Sequence, residues 1–392
     1  MTTTPVATAP VLDRLIGQEH VIPQLSSAAA GHGMTHAWLL TGPPGSGRST
    51  AARAFAAALQ CPTGGCGHCN DCRQALGDLH PDVRVIDPDG LSIGVDEVRD
   101  LVRWSATSPI RGRAQVIVII DADRLTEPAT NALLKAVEEP APATVWLLAA
   151  PSADDLLPTV RSRCRLITLR TPSEQVIAAV LVTRDGVEPA IAAYAAAASH
   201  GHVGRARRLA LDDAARNRRR EVLSLPPVLA NLRACSDAAA RLIELAEEES
   251  GASSTERDDT ERRALLWSLG ADPEADGART PRGGKGMLDE LERRQKSRRT
   301  RAQRDALDMA LLDLVWWYRR VLDEQFGVKG QPDRTGDSTV AIERLARSSE
   351  PERTLQRIEA LMVARGRIGT NANPLLTLEA MFTALGAKES AR

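Results

Sequence analysis

A glycine-rich stretch near the N-terminus contains the residues best suited to chemistry. Residues 42–49 read GPPGSGRS, which fits the phosphate-binding pattern G-x-x-x-x-G-K-[ST] except that Arg48 replaces the lysine. Glycines let backbone N–H groups approach phosphate oxygens, and a following helix adds a favourable dipole. The pattern therefore predicts a phosphate-binding loop, although a guanidinium is bulkier than an ammonium, and a ligand-free Gly/Pro turn is the alternative. The candidate nucleotide contacts in this stretch are Gly42, Gly45, Gly47, Arg48, Ser49 and Thr50.

Hydrolysis at such a loop needs two further groups, an acid that holds Mg²⁺ and a base that orients the attacking water. Asp121 follows the apolar run VIVII and is suited to the first task. The next residue, Ala122, has no proton acceptor, so the usual general base is missing. Asp121 could also be a simple turn former at the end of a strand. The sequence leaves binding of ATP or ADP open, with Mg²⁺ present only where a nucleotide binds.

Four cysteines with the spacing of metal ligands come after the loop. They form C-x4-C-x2-C-x2-C, and Gly67 allows the tight turn that the backbone makes under a metal-bound thiolate. Four thiolates suit a structural, tetrahedral zinc, whereas free buried thiols or a ligand set that includes His68 are the alternatives. The isolated Cys164 and Cys235 are interpreted as small core residues. The predicted zinc ligands are Cys61, Cys66, Cys69 and Cys72.

Apolar runs alternate with helical patterns over the first 170 residues, which predicts an α/β domain with a parallel, doubly wound sheet. From residue 172 onward the strand signal vanishes and the periodicity predicts helices, including an apolar stripe within 305–325. Besides the run at 38–40, the predicted strands are 83–86, 116–120, 145–150 and 165–169, and the predicted helices include 49–59, 95–106, 127–138, 173–183 and 188–199.

Composition limits the possible classes of protein. A chain of 392 residues should form two or three domains, and its net charge of −1 gives no general attraction to nucleic acid. Aromatic residues make up 3%, which argues against a stacking platform for single strands. The N-terminus does not resemble a secretory signal and no stretch is apolar enough to span a membrane, so we expect a cytoplasmic protein.

Two polar regions lie in the helical part of the chain. Residues 250–260 and 270–286 are rich in polar residues, glycine or proline, and are predicted to form loops. Residues 293–304, RRQKSRRTRAQR, hold seven basic residues and no aromatic residue. This basic segment could touch a phosphate backbone, or it could be a solvated face that pairs with the acidic segment before it.

Four segments together resemble the clamp-loader subunits of bacterial DNA polymerase III. They are the loop GPPGSGRS, the cysteine cluster, VIVIIDADRLTEPATNALLKAVEEP at 116–140 and PTVRSRC at 158–164. Residues 16–18, IGQ, also resemble a box that lies near the adenine in related ATPases. The resemblance covers residues 12–210 well and the C-terminal helices only loosely.

The resemblance implies an α/β AAA+ P-loop domain with an inserted zinc-binding module, a small helical lid domain and an all-α C-terminal collar domain. The implied boundaries are 1–170 for the core with its zinc module at 61–72, 171–212 for the lid, and 213–392 for the collar with an insertion around 250–300. The implied partners are the motor subunits gamma and tau and the delta subunit in a hetero-pentamer, the sliding clamp, and primed DNA.

Two kinds of subunit share this family fold. Motor subunits have an intact phosphate-binding loop and an Asp-Glu pair, whereas in a stator subunit both features are degraded. Arg48 and Ala122 resemble the stator kind. The residues SRC at 162–164 match a family motif whose arginine reaches the nucleotide site of the adjacent motor. The resemblance therefore implies that Arg163 is a catalytic arginine finger supplied in trans, and that Arg205 is the second sensor of the lid. Without the resemblance, a solvated charge cluster would be the better interpretation of Arg163, and Arg205 could equally serve helix capping or surface chemistry.

The leading hypothesis is a non-hydrolysing clamp-loader subunit. One alternative is an active motor ATPase in which Arg48 and Asp121 suffice for turnover. Another is a zinc-containing nucleic-acid-binding regulator that uses the basic segment 293–304.

Overall fold

The computed structural model describes residues 9–88, 90, 92–269, 285–328, 339–370 and 372–386. The chain divides into two compact units, Met1–Leu211 and Asp212–Arg392. The further division of the first unit into a core and a lid stays a prediction. No helix within these described ranges combines the length and the apolar composition needed to cross a bilayer.

The first unit is built on a five-stranded sheet whose strand pairs are all parallel, in the order β2-β3-β4-β1-β5. Every residue of β1, β3 and β4 is buried, as expected for strands covered on both faces. The predicted parallel α/β sheet is therefore confirmed. The strands are β1 Ala37–Thr41, β2 Val83–Ile86, β3 Gln115–Ile119, β4 Thr144–Ala150 and β5 Arg165–Thr168.

Helices cover both faces of this sheet. Successive residues of a strand point to opposite faces, so Trp38 packs in one hydrophobic cluster with Phe55, while Leu39 packs in another with Leu133. The Trp38 and Phe55 rings meet edge to face at 5.0 Å. The helices are α1 Ile22–Ala29, α2 Arg48–Gln60, α3 Asn70–Leu76, α4 Val95–Ser105, α5 Glu127–Glu138, α6 Pro158–Arg161, α7 Glu174–Asp185, α8 Pro189–Ala198 and α9 Val203–Leu211.

The second unit is helical throughout its described residues. Its core forms where the predicted apolar stripe of α12 meets α11, α14 and α15, and Leu307, Leu314 and Val321 of that stripe are fully buried. The helices are α10 Asp213–Ser224, α11 Leu232–Ser268, α12 Lys285–Gln325, α13 Thr339–Ser348, α14 Pro351–Gly369 and α15 Pro374–Gly386.

The prediction of a loop at 250–260 is wrong, because α11 runs through this segment to Ser268. Contacts with α12 override the weak local helix propensity of a glycine and serine-rich stretch. Asp258 is only 2% exposed, its carboxylate accepts hydrogen bonds from Arg298 and Arg299, and its carbonyl accepts one from Gln295. In the second predicted loop, residues 270–284 lie outside the described residues.

The same contacts bear on the basic segment 293–304. Arg298 and Arg299 point at the acidic side of α11, where Arg298 also pairs with Glu261. Arg293 pairs with Glu290 one turn earlier on α12. These pairs favour the interpretation of this segment as a solvated face whose arginines pair with the acidic residues of the helix beside it.

Candidate functional site

The glycine-rich loop connects β1 to α2, so it lies at the carboxyl end of the sheet, where parallel α/β sheets bind ligands. Close packing requires glycine at positions 42 and 45. A side chain at Gly45, whose φ is +83°, would have its Cβ 2.6 Å from the Cα and Cβ of His202. A Cβ at Gly42 would lie 2.8 Å from the carbonyl oxygen of Leu169. The loop thus packs closely between the chain that follows β5 and the residue that precedes α9.

Gln18 holds the loop to the segment after β5. Its side chain is 1% exposed and donates hydrogen bonds to the Arg170 carbonyl at 2.6 Å and to the Ser46 carbonyl at 3.3 Å. Its amide oxygen accepts a bond from the Arg170 N–H at 3.0 Å. Because all these partners are backbone groups, Gln18 fixes the shape of the loop.

Arg48 is turned back onto its own loop. Its Nη1 donates to the Gly42 carbonyl oxygen at 2.6 Å, and its Nη2 lies 3.5 Å from a carboxylate oxygen of Asp121. The two side chains are only 13% and 15% exposed. Burial lowers the pKa of Arg48, and the charge of Asp121 opposes that change. The charge of Arg48 is therefore balanced by groups of the protein itself, at the position where a phosphate-binding lysine would face a ligand.

Asp121 follows β3 with a φ of +51° and faces a second arginine, since the Nε of Arg124 lies 3.7 Å from its other oxygen. Its carboxylate is thus shared by two guanidinium groups. Ala122 is 2% exposed and carries no group that could activate water. Burial raises the pKa of the neighbouring Asp123, and the nearby Asp121 charge acts in the same direction. The structure thus brings the predicted Asp121 and Arg48 together as an ion pair.

His202, the residue just before α9, packs on the loop, and sequence reasoning missed it. Its Nδ1 accepts a hydrogen bond from the Arg205 N–H at 3.2 Å, which caps the helix. Burial lowers the pKa of His202, and the positive charges of Arg205 and Arg48 lower it further. A neutral histidine and the predicted Arg205 thus stand beside the loop. The remaining predicted contacts, Ser49 and Thr50, lie in the first turn of α2.

Arg163 lies in the turn after α6, near the surface. Its Nη1 donates to the Thr159 carbonyl at 2.7 Å, and its Nη2 lies 2.5 Å from Glu138 at the end of α5. Both side chains of this ion pair are more than a third exposed, at 38% and 37%. Burial raises the pKa of the adjacent Cys164 to about 11, which leaves an unreactive thiol. Arg163 is therefore held in place on the surface but accessible.

The predicted metal ligands come together in space. The Sγ atoms of Cys61, Cys66, Cys69 and Cys72 all lie within 4.8 Å of one another. The Cys61 Sγ lies 3.7 Å from that of Cys66 and 3.8 Å from that of Cys69. Sulfurs about 2.3 Å from a tetrahedral zinc are about 3.8 Å apart, so the spacing fits this ion. The cluster could hold a metal.

Backbone donors around the cluster favour thiolates. The N–H groups of Cys66, Gly67, Cys69 and Cys72 each lie 3.3 Å from a cysteine sulfur. Burial alone would raise the pKa of Cys61, but hydrogen bonds from Thr63 and from the backbone lower it to about 5. Metal binding needs deprotonated sulfur, which hydrogen bonds favour at Cys61 and Cys66, whereas burial raises the pKa of Cys69 and Cys72.

Comparison with known proteins identifies relatives of the first unit. Residues 17–173 match the family described as DNA polymerase III, delta subunit. The delta' subunit of Haemophilus influenzae is 37% identical over 173 residues, which are 43% of this chain and 52% of that protein. The delta' subunit of Bacillus subtilis is 30% identical over 54% of this chain and 65% of its own. The gamma/tau subunit of Mycobacterium tuberculosis is 35% identical over 38% of this chain and 27% of its own.

Each of these relatives is matched over less than two thirds of its own length. Among solved structures, a DNA polymerase III gamma subunit-related protein from Thermotoga maritima covers 88% of this chain and 99% of its own at 17% identity, with a TM-score of 0.36. At this score the likeness adds nothing to the fold described above. The matched segment includes the loop, the cysteine cluster and the turn of Arg163. Over residues 17–173 this chain is therefore similar to the delta' and gamma/tau subunits of bacterial DNA polymerase III.

Proposed function

We propose that the chain is a clamp-loader subunit of the delta' kind, a stator that does not hydrolyse ATP. The observation that carries the proposal is the contact of Arg48 with both the Gly42 carbonyl and the Asp121 carboxylate. A bound nucleotide with Mg²⁺ would need both positions, because the loop backbone receives the phosphates and the acid holds the metal. Ala122 supports the same conclusion, since turnover would still lack a base.

In this proposal Arg163 works on the ATP of a neighbouring motor subunit. Its guanidinium is accessible, and its partner Glu138 is exposed at the same surface, so the ion pair can be exchanged for a phosphate at small cost. An arginine finger stabilises the charge that develops on the transferred phosphoryl group. The active centre would thus be completed by two chains, and this chain would supply only the arginine.

Replacing Arg163 with alanine tests this role in the assembled loader with clamp and primed DNA. We expect turnover at the motor site beside this subunit to fall by about 10³-fold or more, because a finger contributes that much elsewhere. Assembly should be unchanged. Arg161→Ala is the matched control. Arg161 lies two residues before Arg163 in the sequence, is 40% exposed and pairs with Asp154. Unchanged turnover in Arg163→Ala would contradict the proposal.

The proposed partners are the gamma/tau motors and the delta subunit in a hetero-pentamer, with the sliding clamp and primed DNA. The proposed domains are an AAA+ core at 1–170, a lid at 171–212 and a collar at 213–392. The parallel sheet order, the loop after β1 and the helical second unit support this arrangement. The proposal assigns the chain to the cytoplasm, where replication takes place in bacteria.

The four cysteines are proposed to hold one structural zinc. We expect about one zinc per chain in the purified protein, and loss of the metal in Cys72→Ser, because four-thiolate sites need every ligand. Elemental analysis after extensive dialysis measures both. Cys164→Ser is the control, because Cys164 is a half-buried thiol outside the cluster and its replacement should leave the zinc in place. Wild-type protein without zinc would remove this assignment.

The motor alternative is supported by the gamma/tau relative. It predicts sustained phosphate release by this chain in a loader whose other loops are disabled, whereas the stator proposal predicts none. This assay separates the two functions without depending on Arg163.

A further inference from the structure

The segment 107–113 between α4 and β3 is exposed yet held by a buried acid. Its apolar tip, Ile110, is 79% exposed, so burial contributes little to its order. Asp82, which is 0% exposed, accepts hydrogen bonds from three successive backbone N–H groups of this segment. The distances are 2.6 Å from Ile110, 2.8 Å from Arg111 and 2.6 Å from Gly112. Burial alone would raise the pKa of Asp82, but these donors hold it below its usual value.

The cysteine cluster contacts the same segment at two points. The Nη2 of Arg113 donates to the carbonyl of Pro62 at 2.9 Å, and Pro62 directly follows Cys61. The Nη2 of Arg111 lies 3.4 Å from the carboxylate of Asp71, which directly precedes Cys72. Both contacts of the segment thus end on a residue adjacent to a cysteine of the cluster.

Two further side chains connect the cluster to the base of the segment. Gln60, adjacent to Cys61, donates to the Ala114 carbonyl at 2.6 Å and to the Asp82 carbonyl at 3.1 Å. A Cβ on Gly112 would lie 2.0 Å from the amide oxygen of Gln60, so the backbone of the segment rests on this side chain. On the other side, His80 lies 3.6 Å from Asp71 and accepts the Asp82 N–H at 3.1 Å.

We propose that the metal-loaded cysteine cluster is a strut that holds the 107–113 segment in one conformation, so that loss of the metal releases the segment. The residues 61–72 contain only the start of the short helix α3, and small four-cysteine modules depend on their metal for structure. Without it, Pro62 and Asp71 lose their fixed positions, and the segment loses its contacts with them while it keeps its bonds to Asp82 and to Gln115. The inference rests on the metal site and not on the clamp-loader proposal.

Hydrogen exchange measured by mass spectrometry tests the strut on the full chain. The amides of Ile110, Arg111 and Gly112 report directly on the bonds to Asp82. After the metal is removed with a chelator, we expect these amides to exchange about tenfold faster or more. The amides of β3 at 116–119 should keep their protection, which shows that the sheet has stayed folded. Addition of zinc should restore the slow exchange.

A variant that leaves the cysteines intact distinguishes direct support of the 107–113 segment from general loosening of the cysteine module. Arg111→Ala/Arg113→Ala in metal-loaded protein should raise exchange of the segment by about two- to tenfold, because partly exposed pairs contribute little each. Arg99→Ala is the matched control, since its ion pair with Asp96 lies on the exposed face of α4. Two results would overturn the proposal. One is metal-free protein in which the cysteine module exchanges faster but the amides of 110–112 exchange at the same rate as before. The other is a double variant in which these amides exchange as slowly as in the wild type.

Discussion

Replacing Arg48 with lysine is expected to give this chain a higher affinity for ATP with Mg²⁺, by about tenfold or more. In the wild-type loop a nucleotide must displace Arg48 from the Gly42 carbonyl and from Asp121. A hydrogen bond to a charged group is worth about 1.5–3 kcal/mol, and each 1.4 kcal/mol is about tenfold in affinity. Lysine lacks the fork that reaches both partners at once, and its ammonium is the usual phosphate ligand of such loops. Titration with a fluorescent ATP analogue measures the change.

Turnover should not accompany this gain in affinity, because Ala122 still provides no base. Arg53→Lys is the control, since Arg53 lies on the same helix and pairs with Asp78 and Asp87 outside the loop. Its nucleotide affinity should equal that of wild type. A wild-type chain that already binds ATP as tightly as Arg48→Lys would show that Arg48 does not block the loop.

A second residue that packs on the loop is His202, which lies just before α9. The contact of His202 with Gly45 leaves no room for a side chain on the loop, and the neutral imidazole stands next to Arg48 and Arg205. Replacing Arg48 alone therefore leaves the packing of His202 on Gly45 in place. We expect Arg48→Lys to bind less tightly than a complete motor subunit for this reason.

The sequence predicted the loop and the parallel sheet because both depend on local patterns. Spacing alone placed Asp121 after β3, and the structure brings it to Arg48 as the carboxyl ends of parallel strands require. The direction of the Arg48 side chain could not be predicted, since it depends on the Gly42 carbonyl and on a strand some 70 residues later. His202 was missed because its role comes from packing across the fold.

The long helix α11 shows the same limit. Its residues 250–260 have a composition that favours loops, and only the partners on α12 turn them into a helix. The cysteine cluster is the opposite case, because the spacing of the four residues within 61–72 already restricts where their sulfurs can lie. Local constraints were predictable, and long-range partners were not.

Replacing Asp313 with alanine is expected to destabilise the second unit by about 3–5 kcal/mol. The Nε of Arg219 donates to Asp313 at 3.1 Å, and the two side chains are 7% and 2% exposed. Removing Asp313 takes a buried carboxylate partner from Arg219 in the core, and breaking a buried pair in this way costs about this much. Replacing both partners, as Arg219→Met/Asp313→Leu, should recover most of the loss, because well-packed apolar residues can substitute for a buried ion pair.

Asp308→Ala on the same helix is the matched control. Its pair with Arg365 is bidentate, at 2.7 and 2.9 Å, but the side chains are 38% and 21% exposed. Partly exposed pairs are screened by solvent and leave no buried charge behind when they are broken, so this change should cost less than Asp313→Ala. The opening free energies of the most protected α12 amides, measured by hydrogen exchange in increasing denaturant, compare the variants within the full chain. Equal losses in Asp313→Ala and Asp308→Ala would show that burial of the Arg219 pair does not set its strength.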